Sequence, residues 1–174
     1  MFQLTSQKLT IIPLNLKQLQ LLAQDRILLE QSLGLEPFGV KISDPIFEEG
    51  FQEAIESYSI PKVTENEARF QWFTSWFIIH RVDNRIVGTI GVAGLPNEQG
   101  EVMIGYFTDE RYEGQGIMTE AVQLLSDWMF ENQDVQSIIA DTLVDGIGSQ
   151  KVLQKNGFVQ DGTTDEGLRW RKRR

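Results

Sequence analysis

A glycine-rich turn, Arg111-Tyr112-Glu113-Gly114-Gln115-Gly116, is the stretch of this sequence best suited to binding chemistry. An apolar segment (102–107) precedes it and an amphipathic segment (121–130) follows it, which predicts a strand, a turn and a helix. Gly114 and Gly116 let the backbone adopt positive φ and approach a ligand with no Cβ in the way. The N–H groups and positive dipole end of the following helix attract anions, so this glycine turn predicts a phosphate-binding site.

The residues after the glycines narrow the type of phosphate site. No Gly-Lys-Ser/Thr sequence follows, which excludes a Walker loop. The run Gly-Gln-Gly-Ile-Met-Thr lacks the third glycine of a dinucleotide fingerprint, and it lies late in the chain rather than after a first strand. One alternative stays open, a surface turn that merely joins a strand to a helix.

Periodicity and turn residues predict the elements that position the glycine turn. The predicted strands cover 5–14, 70–79, 85–92, 101–108 and 135–141, followed by a pair that begins at 158–160 and includes 168–171. The predicted helices cover 16–29, Pro45 or Ile46 to Tyr58, the segment from the glycine turn to about Glu131, and 149–156. Ser43 and Asp44 are candidate caps of the second helix, and Pro61 is predicted to end it. The order indicates one α/β (α+β) domain, 1–174, in which antiparallel hairpins precede a β-α-β unit.

Composition limits the compartment and the partners. The chain has no cysteine, which excludes disulfides, thiolate metal sites and a covalent cysteine acyl-enzyme; we expect no metal site. No apolar run is long enough to span a bilayer and no signal peptide is visible, so we expect a cytoplasmic protein with no membrane partner. The net charge of −9 disfavours nucleic acid and favours cationic acceptors such as amines. The basic tail, 169–174, is predicted to be a final strand with a solvated end.

Several stretches together resemble the GNAT acyltransferase superfamily, in the branch of ribosomal-protein N-terminal acetyltransferases (Rim type). Arg-x-x-Gly-x-Gly after a strand resembles motif A of that superfamily. The matching stretches are Arg85–Gly91, Gly100–Tyr106, the glycine turn with Thr119-Glu120-Ala121, and Ser149-Gln150-Lys151-Val152-Leu153-Gln154-Lys155-Asn156-Gly157-Phe158. The resemblance implies a mixed, mostly antiparallel central sheet with helices on both faces. It also implies that the fourth and fifth strands of the family, here 101–108 and 135–141, splay apart.

The resemblance implies acetyl-CoA as cosubstrate and a primary amine, either a protein N-terminus or a small molecule, as acceptor. Pantetheine would lie between the splayed strands, and the backbone N–H groups near Tyr106 and Phe107 would face the thioester oxygen. The N–H groups of the glycine turn and of Ile117 would hold the pyrophosphate, with Gln115 as a further donor. The residues so implied are Arg111, Tyr112, Glu113, Gly114, Gln115, Gly116 and Ile117. We expect a monomer or a homodimer.

Two positions depart from the pattern of the resembled family. Met103 stands where many relatives carry Glu, and Gly146 stands where many carry Asn. These departures keep a second function open, a non-catalytic acyl-CoA-binding sensor or pseudoenzyme with the same fold. A site for a different phosphorylated ligand is a third.

Direct acetyl transfer needs a neutral amine, a polarised thioester carbonyl and a stabilised thiolate. Glu101 is the first candidate base because it lies two residues from Met103, on the same face of a strand; a solvated Glu is the alternative. His80, the only histidine, is a candidate because an imidazole is suited to general-base work, but its place before a turn favours an exposed, structural role. Ser149 is predicted to hydrogen-bond the thiolate or CoA, to cap a short helix, or both. No tyrosine follows Tyr112 to serve as the general acid common elsewhere in the superfamily.

Aromatic residues are the candidate acceptor wall. Tyr58, Trp72 and Trp76 are predicted to contact the acceptor. Because Trp72 and Trp76 alternate with Phe73 and Phe77 in a predicted strand, one pair should face the core and the other should face outward. An outward aromatic pair would indicate a binding surface.

Overall fold

A computed structural model describes residues 2–41, 45–165 and 167–174. The strands are β1 Leu4–Thr5, β2 Leu9–Pro13, β3 Ser75–His80, β4 Arg85–Val92, β5 Glu101–Thr108, β6 Ser137–Thr142, β7 Val159–Thr163 and β8 Leu168–Arg173. The α-helices are α1 Leu16–Gln24, α2 Arg26–Ser32, α3 Pro45–Ala54, α4 Ile60–Glu65, α5 Ile117–Glu131 and α6 Ile147–Lys155. A π-helical turn, Ile55–Ser59, joins α3 to α4, and 3-10 turns cover Glu67–Trp72 and Glu110–Tyr112.

The eight strands form one sheet in the order β1-β2-β3-β4-β5-β6-β8-β7. Neighbouring strands are antiparallel except β5 and β6, which are parallel. Within the described chain, β5 and β6 pair only at 101–103 with 137–139, although β5 continues to Thr108 and β6 to Thr142. The predicted splay of these two strands is therefore confirmed.

Helices cover both faces of the sheet. On one face α5 packs on a core that includes Val102, Ile104 and Ile138. On the other face α1 and α2 pack on a core that includes Phe77 and Ile79. The alternation of side chains along β5 follows this division, because Val102 and Ile104 face α5 while Phe107 meets Phe51 of α3 edge-to-face at a centroid distance of 5.3 Å.

Three elements in the first half of the chain, besides the helix that contains Pro61, differ from the predictions. The strand predicted at 5–14 is the β1–β2 hairpin, because the Ser6 hydroxyl accepts hydrogen bonds from the N–H groups of Lys8 and Leu9 and turns the chain. The helix predicted at 16–29 breaks at Asp25, which is extended (φ −163°, ψ 122°) and caps α2 through Ile27 N–H. The strand predicted at 70–79 begins only at Ser75, after a 3-10 turn.

Pro61 does not end the second helix, contrary to prediction. The helix passes through the π-helical turn and continues to Glu65, with Pro61 in the first turn of α4. A proline ring clashes with the carbonyl four residues earlier, and the wider π turn, in which Ile60 N–H bonds Ile55 O, accommodates it. The helix begins at Pro45, as predicted; the proposed caps Ser43 and Asp44 lie outside the described residues.

The second half of the chain follows the predictions closely. β4, β5 and α5 have the predicted bounds, and β6 and α6 differ by about two residues at their starts. Gly157 lies just past the end of α6 with φ 79°, where Phe158 N–H bonds Leu153 O and Gly157 N–H bonds Gln154 O. These elements form the β-α-β unit that carries the glycine turn.

Candidate active site

The glycine turn has the backbone geometry that its glycines predict. Gly114 and Gly116 have φ of 73° and 79°, in the left-handed region. Gly116 is the N-cap residue of α5, and no side chain caps this end of the helix. The first bond of α5 runs from Glu120 N–H to Gly116 O, so the earlier N–H groups of the helix point beyond its end. A Cβ built at either glycine would meet no atom within 4 Å, so the turn faces open space.

Arg111 and Tyr112 donate their backbone N–H groups to Asp109. This corrects the prediction that these N–H groups bind the pyrophosphate. The N–H of Arg111 bonds Asp109 Oδ1 (2.9 Å), and the N–H of Tyr112 bonds Asp109 O (2.8 Å). The Arg111 guanidinium donates to both Asp109 oxygens (2.8 and 2.6 Å) and to Gly39 O (2.9 Å), and it covers the Phe38 ring at 3.6 Å. The N–H groups that remain for an anion begin at Glu113.

Asp109 is a buried anchor that the sequence reasoning missed. Its side chain is 0% exposed, and it also accepts from Lys41 N–H (2.8 Å). Burial alone would raise the pKa of Asp109, but the hydrogen bonds from Arg111 and Lys41 outweigh it, so the pKa lies below its ordinary value. The only signal in the sequence was an Asp two residues before the Arg of the motif.

A second anchor joins the glycine turn to the β3–β4 turn. The Tyr112 hydroxyl donates to Asp83 Oδ2 (2.6 Å), and His80 Nδ1 lies 2.9 Å from the same oxygen. The contact with Asp83 supports the structural role that was predicted for His80. The Gln115 amide donates to Arg111 O (3.0 Å) and so stabilises the turn itself.

One edge of β5 is open beside the glycine turn. Asp109 N–H bonds Val87 O, and Ala93 N–H bonds Met103 O, so the odd-numbered residues of β5 direct their backbone groups toward β4. The even-numbered residues Ile104, Tyr106 and Thr108 therefore direct theirs toward β6, where pairing ends at Met103. We call the gap between residues 104–108 and 140–142 the cleft. The prediction for the Tyr106 N–H agrees with this geometry, whereas the Phe107 N–H faces β4, which corrects its assignment.

Ser149 bridges the cleft to Tyr106. The Ser149 hydroxyl donates to Tyr106 Oη (2.9 Å), and the Tyr106 hydroxyl donates to Ser149 O (3.2 Å). Burial raises the pKa of Tyr106 to about 12. The predicted capping role of Ser149 is wrong, because α6 begins two residues earlier, at Ile147, with Gly146 as its cap residue.

Glu101 belongs to an ionic cluster on the sheet. Arg171 donates to Glu101 and to Asp161, and also to the Ser137 hydroxyl (2.9 Å); the Asn97 amide donates to Glu101 (3.2 Å). The hydrogen bonds from Arg171 and then Asn97 lower the pKa of Glu101, which weakens it as a base. Its assignment as the base stays a prediction, and these contacts favour a structural carboxylate. Arg169 pairs with Asp141 (2.8 Å), so the tail forms β8 as predicted.

Trp72 and Trp76 are core residues, which corrects their prediction as acceptor contacts. They are 8% and 0% exposed, and both pack against Trp128 in tilted arrangements, at centroid distances of 4.6 and 4.8 Å. The expected alternation fails because Trp72 lies in a 3-10 turn and because both faces of β3 are covered.

Tyr58 remains a candidate acceptor contact. It is 36% exposed on the π-helical turn, and burial of part of its ring raises the pKa of its phenol. A Cβ built on Gly94 would lie 3.6 Å from its hydroxyl. Gly94 follows Ala93, whose N–H bonds Met103 O, and the pairing of β5 with β6 ends at Met103. Tyr58 therefore lies near the point where β5 and β6 separate.

Surface cavities lie at both ends of α5. One of about 380 Å³ lies beside the glycine turn, between α5 and α6, and includes Gly116, Thr119, Lys155 and Asn156. The larger, about 540 Å³, lies at the far end of α5 near Arg69 and loop 95–100. In the described part of the chain no three His, Cys, Asp or Glu side chains are grouped to hold a metal ion. No helix formed by the described residues has the length and apolar character needed to cross a bilayer.

Known proteins are similar to this chain in sequence. Residues 15–159 match the acetyltransferase (GNAT) domain family. The chain is 30% identical over 150 residues to the probable N-acetyltransferase YjcK of Bacillus subtilis, which covers 80% of each chain. It is 36% identical over 98 residues to the uncharacterized N-acetyltransferase YjdG of the same organism, which covers 56% of this chain and 58% of that relative. It is 28% identical to the ribosomal-protein-serine acetyltransferase of Escherichia coli, over 52% of this chain and 50% of that protein.

Solved structures show the same architecture. RimL, a ribosomal L7/L12 alpha-N-protein acetyltransferase in complex with coenzyme A, superposes with a TM-score of 0.69 at 18% identity, over 99% of this chain and 98% of that one. The ribosomal-protein-S5-alanine acetyltransferase of Vibrio fischeri gives 0.66 at 20% identity, over 99% and 97%. The glycine turn, the open edge of β5 and the family match lead to one conclusion: the chain belongs to the GNAT acetyltransferase family.

Proposed function

We propose that this protein transfers the acetyl group of acetyl-CoA to a primary amine, on a protein N-terminus or a small molecule, by direct attack. The observation that carries the proposal is the open edge of β5 directly before an anion-binding helix N-terminus. An extended pantetheine arm can bond Ile104, Tyr106 and Thr108 as an added strand would. The N–H groups from Glu113 to Ile117 would then hold the pyrophosphate.

The residues of the cleft have separate parts in this proposal. The Tyr106 N–H polarises the thioester carbonyl, and the Ser149 hydroxyl stabilises the departing thiolate. The chain has no cysteine, so the amine attacks the thioester without a cysteine acyl-enzyme. Tyr58 borders the acceptor side. Because Glu101 is paired with Arg171, solvent water is the simplest proton acceptor for the incoming amine.

The acceptor class is supported by charge and by the relatives. A net charge of −9 favours cationic acceptors, and some relatives carry ribosomal-protein acetyltransferase names. We therefore propose a protein N-terminus as the first acceptor to test and a polyamine as the second. We also propose a cytoplasmic protein that acts as a monomer or homodimer without nucleic acid. The single sheet and the family match over 15–159 support one domain for 1–174.

The second candidate, a non-catalytic acyl-CoA sensor, is favoured by Met103, Gly146 and the paired Glu101. Calorimetric titration with acetyl-CoA, CoA and ATP tests the ligand class. Release of free CoA thiol is then followed with peptides that begin with serine or alanine and with spermidine, against a reaction without amine. Amine-dependent thiol release establishes the enzyme. Tight acetyl-CoA binding without such release supports the sensor, and preference for ATP overturns both.

A further inference from the structure

Two hydroxyl groups face each other across the cleft, and the proposed mechanism uses only the hydroxyl of Ser149. Tyr106 comes from β5 and Ser149 from the first turn of α6, 43 residues later. Each donates one hydrogen bond to the other residue, which restricts the rotamers of both side chains. A serine in a helix would otherwise bond a carbonyl of the preceding turn, so the phenol holds the Ser149 hydroxyl toward β5.

We propose that Tyr106 is a positioning residue for the leaving group, acting through Ser149. This inference rests on the proposed acetyl transfer. In that reaction the amine nitrogen forms the C–N bond, its extra proton passes to water, and the C–S electron pair leaves on sulfur as a thiolate. As the sulfur leaves, the Ser149 hydroxyl stops donating to Tyr106 Oη and donates to the sulfur. The Tyr106 hydroxyl then stops donating to Ser149 O and donates to Ser149 Oγ.

The distances favour this exchange of partners. The bond from Tyr106 to Ser149 O is 3.2 Å, longer than the usual 2.7–2.8 Å for O–H···O, so little is lost when it breaks. The two oxygens that must bond afterwards are already 2.9 Å apart. A chain of two donors polarises along its length and strengthens the final bond to a charged acceptor.

The phenol acts as a hydrogen-bond donor and not as an acid. Its pKa of about 12 keeps it protonated at neutral pH. A thiol with a pKa of about 8.5 is the stronger acid by roughly three orders of magnitude, so the thiolate obtains its proton from solvent after it has left. The pair therefore stabilises the thiolate by hydrogen bonding and not by proton transfer.

The test compares Tyr106→Phe, Ser149→Ala and the double variant in the intact protein, with acetyl-CoA and the amine that supports thiol release. We expect each single variant to lower kcat by about ten- to a hundredfold, because a bond to a charged group is lost, with KM for acetyl-CoA within about threefold. The double variant should match Ser149→Ala within about twofold, because the residues act as one unit. Thr89→Val, which removes another buried hydroxyl bond (Thr89 to Trp76 O, 3.0 Å), is the control and should leave kcat unchanged.

A near-parental kcat for folded Tyr106→Phe would overturn the inference, as would losses that multiply in the double variant. If Tyr106→Phe does not fold, a fluorinated tyrosine at position 106 keeps the shape and strengthens the donor, so kcat should rise; an unchanged kcat would overturn the inference. A parent protein that releases no thiol with any amine would instead defeat the proposed function, and this inference with it. If the parent releases thiol and the Tyr106→Phe variant has the same kcat as the parent, only the inference is overturned.

Discussion

The two edges of β5 have opposite roles. Toward β4 the strand is paired from Ile104 to Thr108, and Asp109 extends that pairing through Val87. Toward β6 the strand is paired only at 101–103, and the backbone groups of Ile104, Tyr106 and Thr108 face the cleft. The comparison shows how one strand can be rigid and still receive a ligand: its paired edge and the anchor at Asp109 hold the open edge in place.

The anchor at the end of the paired edge should give the largest effect. We expect Asp109→Asn to lower the free energy of unfolding by about 2–3 kcal/mol, below the range for a fully buried pair because Arg111 is partly exposed. Acetyl-CoA affinity should fall with it, because the glycine turn loses its support. Urea unfolding and calorimetric titration measure the two effects, with Asp83→Asn as a control expected to be milder.

The same variant changes how the stability of the protein depends on pH in the acidic range. The pKa of Asp109 is lower in the folded protein than in the unfolded chain, so its stabilisation is present above the unfolded pKa of about 4 and is lost as pH falls through the folded pKa. Asp109→Asn should therefore be less sensitive to pH below about 4 than the parent. Thermal unfolding between pH 3 and 7 tests this, and parallel curves for the two proteins would contradict it.

Two glycines of the paired strands β4 and β5 should respond differently to the same substitution. A Cβ on Gly88 would lie 2.6 Å from Phe107 O, so Gly88→Ala should cost about 2 kcal/mol by forcing β4 from β5. A Cβ on Gly105 meets nothing within 4 Å, so Gly105→Ala should leave the midpoint of thermal unfolding unchanged or slightly higher. Equal losses for the two variants would contradict the close approach of β4 to β5 at Gly88.

Gly114→Val tests the turn beyond the open edge. Valine disfavours φ of 73°, and its branches would enter the space where a phosphate approaches, so acetyl-CoA affinity should fall more than about tenfold, or 1.4 kcal/mol. Gly116→Val should behave alike. Gly50→Val, in α3 and without positive φ, is the matched control. Parental binding by folded Gly114→Val and Gly116→Val variants would remove the glycine turn from the site.

Glu101→Gln distinguishes a base from a structural carboxylate. Because Arg171 holds Glu101 and lowers its pKa, we expect kcat to fall less than about tenfold, against the 10²–10⁴-fold typical of a lost general base. Asp161→Asn removes the other carboxylate on Arg171 and controls for damage to the cluster. A loss within the general-base range for Glu101→Gln alone would restore it as the base.

The smallest effect is expected at Gly146. Gly146→Asn should raise kcat or acetyl-CoA affinity a few-fold relative to Gly146→Ala, because only Asn restores the polar group that the family resemblance implies at this position. The gain is limited because a Cβ there lies 3.2 Å from Leu143 O and must displace it slightly. A drop in both quantities for Gly146→Asn but not for Gly146→Ala would show that this site is adapted to a small residue.

The sequence alone determined the local elements around the site. β-branched residues, turn residues and two glycines predict β4, β5, the glycine turn and α5 at their observed bounds, because these residue preferences act within each segment. The splay and the position of the open edge came from the family resemblance, and the strand register agrees with both. These features bind the phosphate and the extended arm in the proposed reaction.

Which side chains are available for chemistry depends on contacts between distant segments of the fold. Arg111 is engaged by Asp109 and Gly39, Glu101 by an arginine 70 residues away, and Ser149 by Tyr106. Trp72 is buried by Trp128, which comes from another element. Residue type and spacing cannot show such partners, because they depend on how distant segments pack and on the register of the sheet.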